Sequence, residues 1–196
     1  AELAIRALAA PGFVVTAFRP STVFGASPRL RCDIVFNNLV GCAFTKGRIE
    51  IKSDGTPWRP VVHIRDVCQA FMAGLFAPAP LVQGRSFNVG IPKGNFTVRD
   101  LAEAAAHTIP GCTLTYTGEH GKDSRSYQVS FQRILSELKE HFRPEWDLAR
   151  GGRELVDFFT QTAFSEADFR GEKTIRLEKL KQLVASGAVD GHLRRK

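Results

Sequence analysis

The sequence predicts an α/β fold built on a partial parallel sheet. Short β-branched and aromatic runs alternate with segments of helical spacing, which is the pattern of parallel strands joined by helical crossovers. The predicted strands are too few for a complete doubly wound domain. No strand is followed by G-x-x-G-x-x-G and a helix, so the dinucleotide-binding fingerprint is absent from these 196 residues. We therefore expect a partial Rossmann-like sheet with a C-terminal lobe.

The individual elements follow from periodicity and from turn-forming residues. Apolar residues at helical spacing predict helices over residues 1–10, 32–46, 65–78, 97–111, 129–142, 151–164 and 176–187. β-branched and aromatic runs predict strands over residues 13–20, 48–52, 61–64, 85–90 and 112–118. Residues 21–31 and 53–60, rich in turn formers, are expected to be a loop and a turn. Gly47 is expected to end its helix, and Thr97 and Ser130 are expected to cap theirs.

Composition limits the classes of protein that the chain can represent. The chain is 43% hydrophobic and 10% aromatic, which is enough for a packed core and argues against disorder. Its net charge is +7, but no Lys/Arg run is interleaved with aromatic residues, so we expect no nucleic-acid partner. A basic balance also suits a diphosphate ligand. No apolar run approaches the roughly 20 residues of a membrane helix.

The cysteines and the first residues bear on the compartment. The four cysteines form no C-x-x-C pair and no Cys/His group with zinc-ligand spacing, so we expect buried free thiols and no metal. Residues 1–10 lack the basic region and the cleavage site of a signal peptide. Both observations favour the cytoplasm.

Four strings occur in a fixed order and carry a family resemblance. They are RPSTVFG, DGTPWRPVVHIRDVCQAF, RSFNVG followed by NFTVRDLAE, and DSRSYQVSFQRI. In this order the chain resembles the extended short-chain dehydrogenase/reductases, in their NAD-dependent nucleotide-sugar epimerase/dehydratase branch. The resemblance covers about residues 1–160 and implies the C-terminal, substrate-binding half of that domain, with residues 161–196 as a helical tail.

The resemblance also implies where the proton chemistry lies. The family carries Y-x-x-x-K on a helix just before an Ala/Glu-rich stretch, which Ala1-Glu2-Leu3 resembles, so the Lys should fall just upstream of residue 1. Neither Tyr116 nor Tyr127 is followed by Lys four positions on. We therefore assign no catalytic residue within this chain. NAD or NADP is expected only together with the N-terminal half, and the parent protein is expected to be a homodimer.

The same resemblance implies the binding residues. Arg59 and Arg125 match family arginines that bind the diphosphate of a nucleoside diphosphate sugar, and a guanidinium is well suited to this because it forks onto phosphate oxygens and stays charged. Asn37 or Asn38 matches a substrate-contacting asparagine. Pro20, Ser21, Thr22 and Val23 match the loop that lines the nicotinamide end of the cofactor pocket.

Other residues have simpler interpretations. His63 is expected to be structural on a buried strand, Asp66 to cap the next helix, and Trp58 to pack on the sheet from a turn. Two alternatives to the enzyme half remain open. One is a non-catalytic partial domain, and the other is a related short-chain reductase that acts on a non-nucleotide ketone.

Overall fold

The structure is a computed structural model that describes residues 1–118 and 126–195. Two compact units interleave along the chain. Unit 1 comprises Ala1–Phe24, Gly55–Arg99 and Gly121–Asp147, and unit 2 comprises Gly25–Asp54, Asp100–His120 and Leu148–Lys196. The division that the sequence suggested at residue 160 falls near the end of a helix of unit 2.

The described residues form seven strands and nine helices. The strands are β1 (Thr16–Pro20), β2 (Thr22–Phe24), β3 (Arg48–Ile51), β4 (Trp58–His63), β5 (Arg85–Val89), β6 (Asn95–Thr97) and β7 (Thr113–Tyr116). The helices are α1 (Glu2–Arg6), α2 (Val35–Lys46), α3 (Ile64–Phe76), α4 (Ala79–Val82), α5 (Val98–Ala106), α6 (Gln132–Glu137), α7 (Leu148–Gln161), α8 (Glu166–Arg170) and α9 (Arg176–Ala185).

Parallel pairing dominates the sheets of both units, which confirms the predicted α/β class. In unit 1, β1 runs parallel to β5, and β2 runs parallel to β4. In unit 2, β3 runs parallel to β7. Strand β6 pairs antiparallel with β4. The sequence did not predict β6, because a three-residue strand shows no alternation.

The core of unit 1 lies between its strands and helices α3 and α6. Helix α3 buries Val67, Ala70 and Ala73. Gly74 lets this helix approach β1 closely, since a Cβ placed there would lie 2.6 Å from Cε2 of Phe18. Phe18 in turn stacks on Phe87 of β5 at a centroid distance of 5.8 Å. The close approach therefore fixes α3 on one face of the β1–β5 pair.

The core of unit 2 forms around α2. Its Gly41 lies against the fully buried ring of Phe169, because a Cβ there would be 2.5 Å from Cε2 of that ring. Gly47 ends the helix at a φ of +63° and donates its N–H to the carbonyl of Ala43 at 2.9 Å. The predicted glycine C-cap is confirmed.

Several sequence-based boundaries were wrong. The N-terminal helix is confined to Glu2–Arg6, and the expected loop over residues 21–31 contains β2. Helix α6 begins at Gln132, with Phe131 rather than Ser130 at the N-cap position. Ser130 precedes the N-cap by one residue, and its Oγ accepts the N–H of Gln132 at 3.4 Å. Helix α8 was missed, although Ser165 and Asp168 form a capping box at its start.

Among the described residues, no helix is both long and apolar enough to cross a membrane. The four cysteines are free, as expected from their spacing, but they are not all buried. Cys32 is buried, Cys42 and Cys112 are half-buried, and Cys68 is exposed on α3.

Candidate functional site

The segment Pro20–Val23 lies at the edge of the sheet where a ligand is expected. Strands β1 and β5 are parallel and end together, with Pro20 opposite Val89. The chain passes from Pro20 through Ser21 directly into β2, so Thr22 and Val23 belong to a strand rather than to a loop. Ligands of parallel α/β sheets bind beyond the carboxyl ends of the strands.

Ser21 has an unusual side chain in this position. Its backbone N–H donates to the carbonyl of Val89 at 3.0 Å, which extends the pairing of β1 and β5 by one bond. Its Oγ is buried and has no hydrogen-bond partner among the described residues. A buried hydroxyl in a protein normally has a partner, so the hydrogen-bonding capacity of Ser21 is unused among the described residues.

Arg59 is the second residue of β4, not part of the turn before it, and it is half-buried. Val61 of β4 lies opposite Thr22 of β2 in the parallel register. Arg59 therefore lies near the amino end of β4, next to the start of β2 and on the side from which Ser21 enters. Its Nη1 donates to the carbonyl of Trp58 at 2.8 Å. Unit 1 thus brings two of the predicted site segments to one edge.

Arg125 lies outside the described residues. Ser126, the residue that follows it in the sequence, is described: its Oγ accepts the N–H of Trp58 at 3.0 Å. The N–H of Tyr127 also points to the carbonyl of Trp58, at 3.5 Å. The chain at residues 126–127 therefore lies beside the start of β4.

Asn37 and Asn38 belong to α2 in unit 2, and both bond to the loop before that helix. Asn37 is buried, with Oδ1 accepting the N–H of Gly25 at 3.0 Å and Nδ2 donating to the carbonyl of Arg31 at 2.9 Å. Asn38 is half-buried, and its Nδ2 donates to the carbonyl of Cys32 at 2.8 Å. Asn37 therefore stabilises the loop before α2 through both its amide oxygen and its amide nitrogen.

The thiol of Cys32, in the same loop, is protonated at neutral pH. Burial raises the pKa of this thiol from 9.0 to about 11. Cys32 is therefore unsuited to act as a nucleophile.

His63 is structural at the end of a buried strand, as the sequence predicted, but it also takes the capping role that the sequence assigned to Asp66. His63 caps α3, because its Nδ1 accepts the N–H of Arg65 at 3.3 Å. Asp66 instead binds a distant part of unit 1, with Oδ1 accepting the N–H of Glu145 at 3.0 Å and Oδ2 accepting that of Trp146 at 3.2 Å. The Trp146 ring stacks on His63, with centroids 4.0 Å apart. This cluster is structural, and a partner 79 residues away leaves no local signal in the sequence.

Metal chemistry finds no support in the described part of the chain. Residues 1–118 and 126–195 contain no group of three His, Cys, Asp or Glu side chains placed to hold an ion.

Solved structures with a similar fold include two epimerases named for UDP-sugars. The UDP-glucuronic acid 4-epimerase of Bacillus cereus, solved with UDP-glucuronic acid and NAD, is 20% identical with a TM-score of 0.60, over 77% of this chain and 46% of that one. The UDP-glucose 4-epimerase of Thermotoga maritima, solved with UDP-glucose, is 20% identical with a TM-score of 0.62, over 78% and 48%. At this identity the likeness shows the fold alone.

MoeE5, solved with UDP-glucose and NAD, is 25% identical with a TM-score of 0.58, over 76% of this chain and 48% of that one. The chain therefore spans about half the length of the solved structures it matches. Residues 1–90, which include β1, β2, β4 and β5, match the family described as the NAD dependent epimerase/dehydratase family. Over these residues, a little under half of its length, the chain is similar to the NAD dependent epimerase/dehydratase family.

Proposed function

We propose that this chain supplies the substrate-binding part of an NAD(P)-dependent epimerase or dehydratase that acts on a nucleoside diphosphate sugar. The observation that carries the proposal is Ser21, whose buried hydroxyl lacks a partner among the described residues at the carboxyl end of β1. The family match over residues 1–90 includes this segment. Three neighbours in the fold comparison bind UDP-sugars, which agrees with the proposed substrate class.

The residues at this edge fit a nicotinamide dinucleotide. Pro20 to Val23 would form one wall of the nicotinamide pocket, and the Ser21 hydroxyl would complete its hydrogen bonding with a polar group there. When bound, NAD supplies hydride transfer, and the protein supplies binding and orientation. The chain itself contains neither G-x-x-G-x-x-G nor Y-x-x-x-K, so its contribution is positioning.

The diphosphate would be held by the two predicted arginines. Arg59 stands at the same edge as Ser21, and the neighbour of Arg125 in the sequence, Ser126, bonds to Trp58 next to Arg59. Of the two asparagines, Asn38 is the better candidate for direct contact with substrate, because Asn37 is buried whereas Asn38 is half-buried. Clamping of the diphosphate would position the sugar for hydride transfer.

Helix α3 supports the proposal that further polypeptide completes the domain. One face of α3 packs on unit 1, yet the opposite face carries Phe71, Met72, Leu75 and Phe76, which are 51%, 49%, 75% and 73% exposed. A helix that is apolar on all sides belongs in an interior. Strand β1 pairs along one edge with β5 in the described part of the chain. The nucleotide-binding half of the family domain, which supplies strands and helices, is the occupant we assign to this surface.

Replacement of Arg59 by alanine tests the substrate class. We expect the affinity of the 196-residue chain for UDP-glucose, followed by ligand-observed NMR, to fall at least about tenfold, since a charged hydrogen bond contributes roughly 1.5–3 kcal/mol. Arg143→Ala is the matched control, because Arg143 is an exposed arginine of unit 1 whose ionic partner is Glu140.

Three outcomes distinguish the remaining functions. Unchanged UDP-glucose affinity in Arg59→Ala would contradict the diphosphate clamp and favour a reductase of a non-nucleotide ketone. No UDP-glucose binding at all, in the chain alone and with the nucleotide-binding half added, would favour a non-catalytic partial domain. Hydride transfer by the chain alone with NAD would contradict the assignment of proton chemistry to residues outside it.

A further inference from the structure

A cationic cavity lies within unit 2, between the loop before α2 and the start of α9. Its volume is about 260 Å³. Five cationic side chains line it, with one carboxylate: Arg29, Arg31, Lys173, Arg176 and Lys179, and Glu172. Three of the cations, Lys173, Arg176 and Lys179, lie beyond the family match over residues 1–90. Arg29 and Arg31 lie within it, but the sequence predicted no site role for either.

The acidic groups nearby are already committed. Asp33 forms a two-point ion pair with Arg31 at 2.9 Å, and this guanidinium lowers the pKa of the Asp33 carboxyl. Glu172 holds Lys179 at 2.9 Å. Asp168 forms a similar ion pair with Lys173, with Nζ of the lysine 3.2 Å from Oδ1 of the carboxylate.

Two arginines of the cavity, Arg29 and Arg176, lie outside these ion pairs, although Arg176 is close enough to Asp33 to contribute to the lowering of the pKa of its carboxyl. In residues 1–118 and 126–195, neither Arg29 nor Arg176 forms a salt bridge. Two like charges on one small cavity repel each other, so a bound anion would remove an unfavourable interaction as well as add favourable ones. The charge imbalance therefore favours a ligand with at least two negative charges.

The floor of the cavity is fixed, which separates it from a solvated surface patch. Leu30 and Thr174 are 6% exposed each and both line it. The N–H of Cys32 donates to the carbonyl of Thr174 at 3.0 Å, which joins the loop to the segment before α9. Thr174 Oγ1 donates to the carbonyl of Asp168 at 2.6 Å. The backbone that carries Arg29, Lys173 and Arg176 is therefore held in place before any ligand arrives.

We propose that this cavity binds a phosphoryl group, as inorganic phosphate, pyrophosphate or the phosphate of a small metabolite. Guanidinium groups match phosphate oxygens in geometry and charge. The volume is below the roughly 300 Å³ at which pockets for drug-sized ligands begin, so it suits a phosphoryl group better than a whole nucleotide sugar. This site is independent of the substrate clamp proposed above, and each can fail without the other.

Isothermal titration of the 196-residue chain with pyrophosphate at low ionic strength tests the site. We expect saturable binding that weakens at least about tenfold in Arg29→Gln and in Arg176→Gln, because each loses a charge-assisted contact. Both side chains are exposed, so the variants should fold. Arg153→Gln, an exposed arginine of α7 that does not line the cavity, is the matched control and should bind as the wild type does.

A second measurement locates the ligand and identifies its source. Pyrophosphate should shift the backbone amide resonances of Thr174 and Arg176 in NMR spectra. Tighter binding of glucose 1-phosphate than of inorganic phosphate would assign the site to a sugar phosphate, whereas equal affinity would assign it to the free anion. The proposal is overturned by absence of saturable pyrophosphate binding, by equal weakening in Arg153→Gln, or by binding of oligonucleotides alone.

Discussion

Asp66 joins the first turn of α3 to the backbone at Glu145 and Trp146, and Asp66→Asn tests whether this junction stabilises unit 1. Each carboxylate oxygen accepts one N–H, at 3.0 and 3.2 Å, and the side chain is only 2% exposed. Asparagine has nearly the same shape, so the substitution leaves no cavity. It keeps one acceptor oxygen and turns an NH2 donor toward the other N–H.

The expected loss follows from one broken charged hydrogen bond. Such a bond contributes roughly 1.5–3 kcal/mol, and both hydrogen bonds of Asp66 are partly buried, so we expect about 2 kcal/mol of destabilisation. For a chain of this size, 1 kcal/mol shifts the melting temperature by about 2–4 °C. The melting temperature of Asp66→Asn should therefore fall by about 4–8 °C.

Circular dichroism during heating measures this change. Asp157→Asn, an exposed position of α7, is the control for loss of a negative charge and should melt with the wild type. In a Trp58→Phe background, Trp146 emission should also shift to longer wavelength in Asp66→Asn, because the ring loses its stack on His63. A melting temperature within about 1 °C of the wild type would refute the assigned role of Asp66.

Two further predictions concern unit 2. Gly41→Ala should lower the free energy of unfolding in urea by about 1–2 kcal/mol, because a Cβ 2.5 Å from the Phe169 ring costs more than the roughly 1 kcal/mol of helix propensity that alanine adds. The loss caused by Gly41→Ala should be smaller when Phe169 is replaced by leucine. Equal or greater stability of Gly41→Ala would contradict the close packing. Cys32 should resist iodoacetamide at pH 8 while the exposed Cys68 reacts, as followed by mass spectrometry, and equal alkylation rates would contradict the burial of Cys32. The raised pKa of Cys32 should also make the stability of the fold decrease as the pH rises from 9.0 toward about 11.

Local signals in the sequence accounted for most of the regular elements. The β-branched runs located β1, β3 and β5, and Gly47 located the end of α2, because these depend on neighbouring residues alone. Helix α8 could have been found in the same way, since Ser165 and Asp168 have the spacing of a capping box. Strands β2 and β6, at three residues each, are too short to show a period.

The features that the sequence did not reveal depend on distant partners. Asp66 and His63 stand at the start of α3, where either could cap the helix, and only the position of residues 145–146 decides between them. The cationic cavity likewise joins residues 29–31 to residues 172–179. The sequence alone did not predict the two units for the same reason, since each unit is assembled from three separate segments of the chain.

In the proposed site, the hydroxyl of Ser21 would link the stability of the fold to ligand binding. A buried hydroxyl without a partner costs about 1–3 kcal/mol, which is a sizeable share of the stability of a small domain. The backbone of Ser21 cannot easily move to relieve this cost, because its N–H is bonded to Val89 and the chain enters β2 one residue later. The sheet therefore holds the hydroxyl in place at the edge where Arg59 also stands. A ligand that bonds to Ser21 would recover this cost on binding, and the recovered free energy would add to its affinity.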